Sequence, residues 1–355
     1  MNKNFVFKSP RKITEEPVFL VSDENLSGIT SLSANGRIFP ASQVEGGILA
    51  VLSADTGETR DLTAGSENCG GCKVENDAEA RKLRLNTDGF SFADYAFDPS
   101  FPKPHLGPIT DNCGNFFTRC DLMNKEHPHQ RSVIIAIGSV NGVDCWNEHP
   151  DVCGYVRSEG IEDLVSSSAY AAFTARNRWT DHSGNRLMTE NTRFVFYNQT
   201  DACRMLDMRI TFTADSGDVV FGATKEAGPL GIRVRDELRA DTGYGILCNS
   251  RGGVGEGECW GKEAEWCDYH GVIDGIGDMG VTVFDHPSNE RFPTAWHIRS
   301  YGLLAANNLH FKGGYILKDS ESVTYSYRIL FRRRPMTAND LSARFKSYAE
   351  NTVRL

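Results

Sequence analysis

Residues 266–308 concentrate side chains that could perform acid–base chemistry on a small ligand, including three of the nine histidines of the chain. Polar and ionisable groups cost free energy to desolvate unless they are partnered, so this density indicates a lined cleft. The alternative is a set of loops in which the same side chains cap turns. The residues expected to line the cleft are His270, His297 and Asp268 as acid–base groups, and Trp266, Tyr269, Trp296, Arg299 and Asn307 as substrate contacts.

A second polar segment, EHPHQR at residues 126–131, directly precedes a continuous β-branched run. His127 and His129 are two residues apart, so they point to the same side of an extended chain. Such a pair suits proton transfer or metal ligation, with Arg131 beside it as a substrate contact. The alternative is two half-exposed histidines that hydrogen-bond around Pro128.

A third segment, ATKEAGPLGIRV at residues 223–234, groups three charged residues around two glycines and a proline. Leu230 and Ile232 alternate with Arg233, which places the guanidinium on the opposite face of a predicted strand. Solvent exposure is the alternative for all three charges. We interpret Lys225 and Arg233 as substrate contacts and Glu226 as a carboxylate that orients the histidines.

The strands next to these segments must bring them together. Val133–Ile137 follows the first pair of histidines, and residues 281–284 lie inside the opening segment. Because a sheet aligns distant strands and aims their flanking loops at one cleft, we expect one concave surface. The side chains predicted to converge on it are His127, His129, Arg131, His270 and His297, with Lys225, Glu226 and Arg233 at its wall.

Alternating apolar and polar residues at 206–212 and 323–331 predict half-buried antiparallel strands. Amphipathic helical periodicity is almost absent, so we predict a mainly β fold, a large antiparallel β-sandwich with a C-terminal helix. Thr337 can cap that helix with Asp340 at its third position. The expected parts are a β-rich segment over residues 1–110, either in the sandwich or layered on it, the main β-sandwich with the site over 111–335, and the helix over 336–355.

Composition excludes several classes of partner. The chain of 355 residues has a net charge of -9, whereas a nucleic-acid partner requires a basic face. No apolar run approaches the ~18 residues of a membrane span, and the first residues carry no apolar leader. We therefore expect a cytoplasmic protein that interacts with neither nucleic acid nor membrane, and whose ten cysteines are mostly reduced.

Three motifs occur in an order typical of one family: EHPHQRSVIIAIGSVNGVDCW, FGATKEAGPLGIRV, and WGKEAEWCDYHG followed by VTVFDHPSNERFPTAWHIRSYGLLAANN. Over about residues 115–332 the chain resembles the PmoA-like family of bacterial proteins, named after a methane-oxygenase subunit. The resemblance implies a large β-sandwich, similar in style to sugar-mutarotase supersandwiches, and an association with carbohydrate catabolism. Where the family reads D-H-P-H-H-R-G, this chain departs at Glu126, Gln130 and Ser132 and keeps His127, His129 and Arg131.

Three functions remain open at the level of sequence. The first is a carbohydrate-active enzyme of sugar catabolism, a lyase or hydrolase (less so an epimerase) that acts on a glycoside or an oxidised keto-sugar by histidine and carboxylate acid–base chemistry. The second is a non-catalytic carbohydrate-binding module, and the third is a metal-dependent oxygenase with two histidines and a carboxylate as ligands. The expected partner is a small-molecule sugar or glycoside. The sequence fixes no cofactor and is compatible with a histidine-bound divalent metal and with a homo-oligomer.

Overall fold

Strand residues make up 52% of the structure and helical residues 6%. The computed structural model describes residues 3–119, 126–199 and 203–350. Every pairing between its named strands is antiparallel. The predicted fold class, a mainly β antiparallel sandwich with a C-terminal helix, is confirmed.

The described residues form 24 strands and two α-helices. The first twelve strands are β1 (Asn4–Lys8), β2 (Ile13–Val21), β3 (Ser31–Ala34), β4 (Arg37–Val44), β5 (Gly47–Ala54), β6 (Thr59–Gly65), β7 (Cys72–Asp77), β8 (Lys82–Thr87), β9 (Phe90–Ala96), β10 (His105–Leu106), β11 (Val133–Ile137) and β12 (Tyr155–Ser166). The next twelve are β13 (Tyr170–Thr180), β14 (Arg186–Tyr197), β15 (Cys203–Thr213), β16 (Val219–Phe221), β17 (Ala227–Arg233), β18 (Ile246–Asn249), β19 (Trp266–Ile273), β20 (Gly277–Asp285), β21 (Ala295–Arg299), β22 (Leu303–Asn307), β23 (Tyr315–Leu317) and β24 (Ser322–Arg332). The helices are α1 (Glu256–Cys259) and α2 (Ala338–Glu350), and Asp236–Leu238 forms one 3-10 turn.

Two eight-stranded sheets form the sandwich. The front sheet has the order β21-β22-β17-β11-β10-β9-β8-β7, and the back sheet has the order β12-β13-β14-β15-β24-β20-β19-β18. Val133 and Leu304 of the front sheet share one buried apolar cluster with Phe194 and Ile329 of the back sheet. The main core therefore lies between the two sheets, as expected for face-to-face packing.

A third sheet covers the back sheet. It contains β1–β6 in the order β1-β6-β3-β4-β5-β2, and we call it the N-terminal sheet. Because successive side chains of a strand point to opposite faces, β5 serves two cores. Ile48, Ala50 and Leu52 fill the core of the N-terminal sheet itself. Leu49 and Val51 pack with apolar residues of the back sheet. Strands β7–β10, later in the chain, belong instead to the front sheet.

The C-terminal helix α2 also packs on the outside of the back sheet. Asp340 N donates to Thr337 Oγ1 at 3.2 Å, and Thr337 N donates to Asp340 Oδ2 at 2.8 Å, which is the predicted capping box. Leu341 and Tyr348 are buried in the cluster that contains Leu49 of the N-terminal sheet. No helix of the described residues is long and apolar enough to cross a membrane.

The polar segment at residues 266–308 is divided between the two main sheets. Strands β19 and β20 pair within the back sheet, whereas β21 and β22 pair within the front sheet. Residues that are close in sequence on either side of this crossover therefore belong to different layers. This division decides which predicted site residues can meet.

Candidate functional site

One face of the front sheet packs into the main core, and the opposite face carries the candidate site. On the second face, Ile134 pairs with Gly231, Gly231 with Ala305, and Ala305 with His297. Paired residues of adjacent strands point to the same side of a sheet, so these four side chains form one row. The neighbouring rows of the same strands are apolar and belong to the main core. We call this surface, with the loops at residues 126–132, 144–148 and 299–302, the site face.

The floor of the site face is made of small residues under one large ring. Trp146 is buried with Ile134, Ala136 and Ala305. A Cβ atom on Gly231 would lie 3.0 Å from Cη2 of Trp146. Gly231 therefore lets the indole approach the sheet backbone closely, and the ring supports the loop that carries the histidines.

His127 and His129 lie next to each other on this face. The His127 ring is stacked on Tyr301, with centroids 4.8 Å apart and planes 7° apart. His127 and His129 meet edge to face at 5.9 Å, and His129 meets Trp146 at 6.4 Å. The backbone φ of His127 is 51°, which lies in the left-handed region that residues other than glycine rarely adopt. A conformation of this kind clusters at ligand sites.

Arg233 lies against the same tyrosine. Its guanidinium carbon is 4.9 Å from the Tyr301 ring centroid, and the residue is 1% exposed. Nη1 donates to Oε1 of Gln130 at 2.7 Å, whereas Nε and Nη2 are buried without a hydrogen-bond partner. Burial, and then the charge of Arg119, lower the pKa of Arg233 to about 10. The guanidinium still carries its charge at neutral pH, and two of its nitrogens have N–H groups that no acceptor meets.

Glu126 supplies the negative charge nearest to this arginine. Its Oε1 is 3.6 Å from Nη2 of Arg233 and 3.5 Å from Nδ1 of His127, and its Oε2 accepts from Arg239 at 2.9 Å. Burial opposes ionisation of Glu126, but the bond from Arg239 and the nearby positive charges outweigh it and lower its pKa. Burial, and then the charge of Arg233, lower the pKa of His127. His127 is therefore an uncharged imidazole at neutral pH.

His129 borders a buried ionic network. Nζ of Lys103 donates to Oε1 of Glu148 at 2.8 Å and to the carbonyl oxygen of Trp146 at 3.0 Å. Nη1 of Arg131 donates to the same oxygen of Glu148. Burial, and then the charge of Lys103, lower the pKa of His129 to about 4. Its ring is therefore uncharged too, and Arg131 is held by Glu148 beneath it.

His297 occupies the far end of the row. Its Nδ1 accepts from the indole Nε1 of Trp260 at 3.0 Å, which leaves the ring proton on Nε2 because an indole only donates. Burial, and then the positive charges of Arg299 and Lys225, lower its pKa to about 4. At neutral pH, His297 is thus a hydrogen-bond donor and not a base.

Arg299 and the pair Lys225–Glu226 form the rim. The guanidinium carbon of Arg299 is 5.5 Å from the Tyr301 centroid, and its Nε is 2.9 Å from Oε1 of Glu256. Lys225 Nζ lies 3.2 Å from Oε1 of Glu226; the Lys225 side chain is largely open to solvent, and the Glu226 side chain is about one third exposed. Of the predicted residues, the structure therefore brings together the following: His127, His129, Arg131, Lys225, Glu226, Arg233, His297 and Arg299.

Four predicted site residues lie elsewhere, because their strand β19 belongs to the back sheet. Trp266 is buried under the N-terminal sheet and α2. Tyr269 points into the main core, and its hydroxyl donates to the carbonyl oxygen of Arg299 at 2.7 Å. Asp268 and His270 face the outside of the back sheet. The expected convergence of His270 with His127 is wrong, since β19 and the strands of the site face lie in different layers.

Two further predicted contacts are structural. Trp296 precedes His297 in β21 and so points to the opposite side, into the main core, where its indole donates to the carbonyl oxygen of Ala264 at 2.9 Å. Asn307 is buried, and its amide donates to the carbonyl oxygen of Lys225 at 3.0 Å. The first cannot reach a ligand on the site face, and the second positions the rim.

Several residues of the site face were not among the predicted site residues: Lys103, Gln130, Trp146, Glu148, Trp260 and Tyr301. One signal could have found Glu148, since Glu148-His149-Pro150 repeats the three residues at 126–128. Lys103 lies in a proline-rich turn, and no local pattern shows that its ammonium meets a carboxylate 45 residues later.

Only one group of three potential metal ligands occurs among the described residues, and it is not on the site face. Cys248, Asp268 and His270 have ligand atoms within 4.8 Å of one another, on the back sheet. Of the nine described cysteines, the eight other than Cys203 are free thiols.

Comparison with known proteins gives a family and no activity. Residues 82–346 match a family model described as "Family of unknown function (DUF6807)". No curated protein matches the sequence. Among solved structures, a TPR-domain containing protein from Parabacteroides distasonis ATCC 8503 is similar at 8% identity and a TM-score of 0.32, over 100% of this chain and 58% of that one. A 4-alpha-glucanotransferase from Thermococcus litoralis is similar at 10% identity and a TM-score of 0.32, over 74% of this chain and 39% of that one. The chain thus spans less than two thirds of either protein.

Proposed function

The chain belongs to the DUF6807 family, and we propose that it is a carbohydrate-active enzyme of sugar catabolism, a lyase or hydrolase acting on a glycoside or an oxidised keto-sugar. Its active site is the site face. Membership of the PmoA-like family remains a hypothesis beside this assignment. A cytoplasmic location is part of the proposal, and the free thiols of eight described cysteines suit a reducing compartment.

One observation carries the proposal: an uncharged histidine and a buried arginine lie against the same tyrosine ring. His127 stacks on Tyr301 at 4.8 Å, and Arg233 lies 4.9 Å from that ring. Proton abstraction next to a carbonyl requires a base that is free of its proton and a positive charge where the oxyanion forms. The two requirements meet here within one cluster.

The chemistry follows from these roles. His127 removes a proton from the carbon next to the carbonyl of a keto-sugar. The electron pair of the broken C–H bond forms the C=C bond of an enolate, and the π pair of the carbonyl moves onto its oxygen. Arg233 and Arg299 supply positive potential for that oxygen. When the carbonyl re-forms, the enolate pair moves to form a C=C bond with the carbon that bears the leaving group. The glycosidic C–O bond then breaks, and the imidazolium of His127 gives its proton to the departing oxygen.

The rim suits a polyhydroxylated ligand. Lys225 is exposed near His297, and Glu226, which is about one third exposed, pairs with Lys225. The Nε2–H of His297 can donate to a sugar hydroxyl. A non-catalytic binding module would use the same surface. However, it would need an open aromatic face for stacking, and the Tyr301 ring is already contacted by His127, Arg233 and Arg299.

The test is a screen of the purified chain against 4-nitrophenyl glycosides and 3-keto-glycosides, with elemental analysis of the same sample for metal. We expect turnover of at least one 3-keto-glycoside, lost in His127→Ala and kept in His182→Ala, an exposed histidine in the turn after β13. Binding without turnover would support the binding module instead. Turnover that requires both a stoichiometric metal and dioxygen would support the oxygenase.

A further inference from the structure

The outer side of the back sheet holds a second cluster of chemically competent side chains. Asp268 and His270 are two residues apart in β19, so they point to the same side, away from the main core. Cys267 and Tyr269, which alternate with them, are buried in that core. Neither Asp268 nor His270 takes part in the proposed function on the site face.

Asp268 is fully buried and fully partnered. Arg332 donates to both of its oxygens, at 2.6 and 2.8 Å, and Thr282 donates at 2.5 Å. His270 Nδ1 lies 2.7 Å from the remaining position. Burial opposes ionisation of this carboxyl, but the charge and hydrogen bonds of Arg332 outweigh it and hold its pKa well below the usual range.

A glycine makes this arrangement sterically feasible. Gly280 pairs with both His270 and Arg332, and a Cβ atom there would lie 2.4 Å from the guanidinium carbon of Arg332. The side chain of Arg332 therefore lies directly over Gly280, and only glycine leaves room for it there.

The carboxylate determines the proton position on His270. An ionised carboxylate only accepts, so Nδ1 of His270 donates to Asp268, and in the neutral ring Nε2 presents a lone pair. Nε2 lies on the side of the ring opposite Nδ1, away from Asp268, and the imidazole is about one third exposed, at 35%. It lines an open pocket of about 420 Å³, which we call the back-sheet pocket.

The rest of the back-sheet pocket is mainly apolar, although the charged side chains of Asp278 and Arg334 also line it. Tyr244, Ile246 and Val272 line it and are 53%, 48% and 60% exposed, although large apolar side chains are normally buried. Met279 and Met336 line it too. Three exposed apolar side chains around one oriented imidazole suit a ligand with an apolar body and a single proton to donate.

A cation is a poorer match for this cluster, although Cys248 lies within 4.8 Å of both polar groups. A carboxylate offers about four acceptor positions, and those of Asp268 are used by Arg332, Thr282 and His270. A metal ion would have to displace Arg332 from a buried ion pair. Burial, and then the charge of Asp268, also raise the pKa of the Cys248 thiol to about 12, so it would not be a thiolate ligand at neutral pH.

We infer that the back-sheet pocket is a second ligand site, which binds a small apolar phenol or alcohol whose hydroxyl group donates to Nε2 of His270. When that hydroxyl is acidic, its O–H bond breaks, the proton moves to Nε2, and the electron pair stays on the oxygen. Asp268 stabilises the resulting imidazolium through Nδ1. This site and the site face lie on different sheets, so either can exist without the other.

The experiment uses 4-nitrophenol, since its phenolate form absorbs visible light and its phenol form does not. Titrating the full chain with this probe at constant pH should give a saturable increase in phenolate absorbance. His270→Gln should weaken the apparent affinity at least tenfold, and so should Val272→Lys, which places a charge in the exposed apolar wall. His182→Gln is the matched control and should titrate like the unmodified chain.

Three results would overturn the inference: no saturable change with the unmodified chain, an unchanged affinity in both pocket variants, or a loss in His127→Gln instead, which would place the probe on the site face. If His270→Gln does not fold, as judged by circular dichroism, Val272→Lys decides alone, because Val272 is largely exposed.

Discussion

The ring of His127 lies flat against the ring of Tyr301, with centroids 4.8 Å and planes 7° apart. Stacking fixes the orientation of the imidazole, which an exposed loop histidine would otherwise vary. Arg233 reaches the same ring, so base and cation are held by one side chain. The candidate site therefore depends on Tyr301, which lies in the third family motif but was not among the predicted site residues.

Replacing Arg233 by methionine should abolish turnover without lowering the free energy of unfolding. Its Nε and Nη2 are buried without a hydrogen-bond partner, and Glu126, which lies 3.6 Å from Nη2, keeps its bond from Arg239. We therefore expect the free energy of unfolding to be unchanged or raised by up to about 2 kcal/mol, with turnover lost. Urea unfolding measures the first and the keto-glycoside assay the second.

The matched control for that change is Arg328→Met. Arg328 is buried too, but it donates to Asp207 at 2.7 and 2.8 Å and to Glu16 at 3.0 Å. Removing it takes a buried charged partner from two carboxylates and should cost about 3–5 kcal/mol. Equal destabilisation by the two methionine variants would show that Arg233 is structural.

Stability should fall as the pH drops from 7 to 5, in part because of His297. Its pKa is about 4 in the folded protein and about 6.5 in an unfolded chain. Between these values the unfolded chain binds a proton that the folded chain does not, so acid favours unfolding. His297→Gln keeps an acceptor for Trp260 and removes this titration. The loss of unfolding free energy over that range should shrink by about 2 kcal/mol. An unchanged pH dependence would mean that His297 titrates normally.

Gly231→Ala should displace Trp146, the buried ring that supports the histidines of the site face. The new methyl group would lie 3.0 Å from Trp146, whose ring is buried and cannot easily move. We expect a loss of about 1–3 kcal/mol from overpacking, together with reduced turnover because Trp146 supports His129. Gly160→Ala is the control, since its nearest neighbouring atom is 4.0 Å away, and it should be neutral. The Gly231 prediction fails if both variants melt and turn over alike.

Strands were readable from the sequence because their alternation is local. Val133–Ile137 forms β11 with the predicted bounds, and the alternating run at 323–331 lies within β24. The capping box at Thr337 was readable for the same reason, since its two partners are three residues apart.

The order of the strands within the sheets could not be predicted from the sequence, and this limited the prediction of the site. His270 and His297 occur in one polar segment, yet β19 and β21 pair in different sheets. Trp296 and His297 are adjacent, yet one faces the core and the other the site face. Pairing across the chain decides both outcomes, and composition in a window of sequence contains no information on it.

The most direct test of the account is hydrogen–deuterium exchange in a keto-sugar, followed by proton NMR in D₂O. A methyl 3-keto-glucoside has exchangeable C–H protons next to its carbonyl, and proton abstraction by His127 should exchange one of them even where no bond is cleaved. The account predicts exchange that saturates with sugar, falls at least a hundredfold in His127→Asn, and is unchanged in His182→Asn. Exchange no faster than in buffer, or equal rates in the two variants, would contradict it.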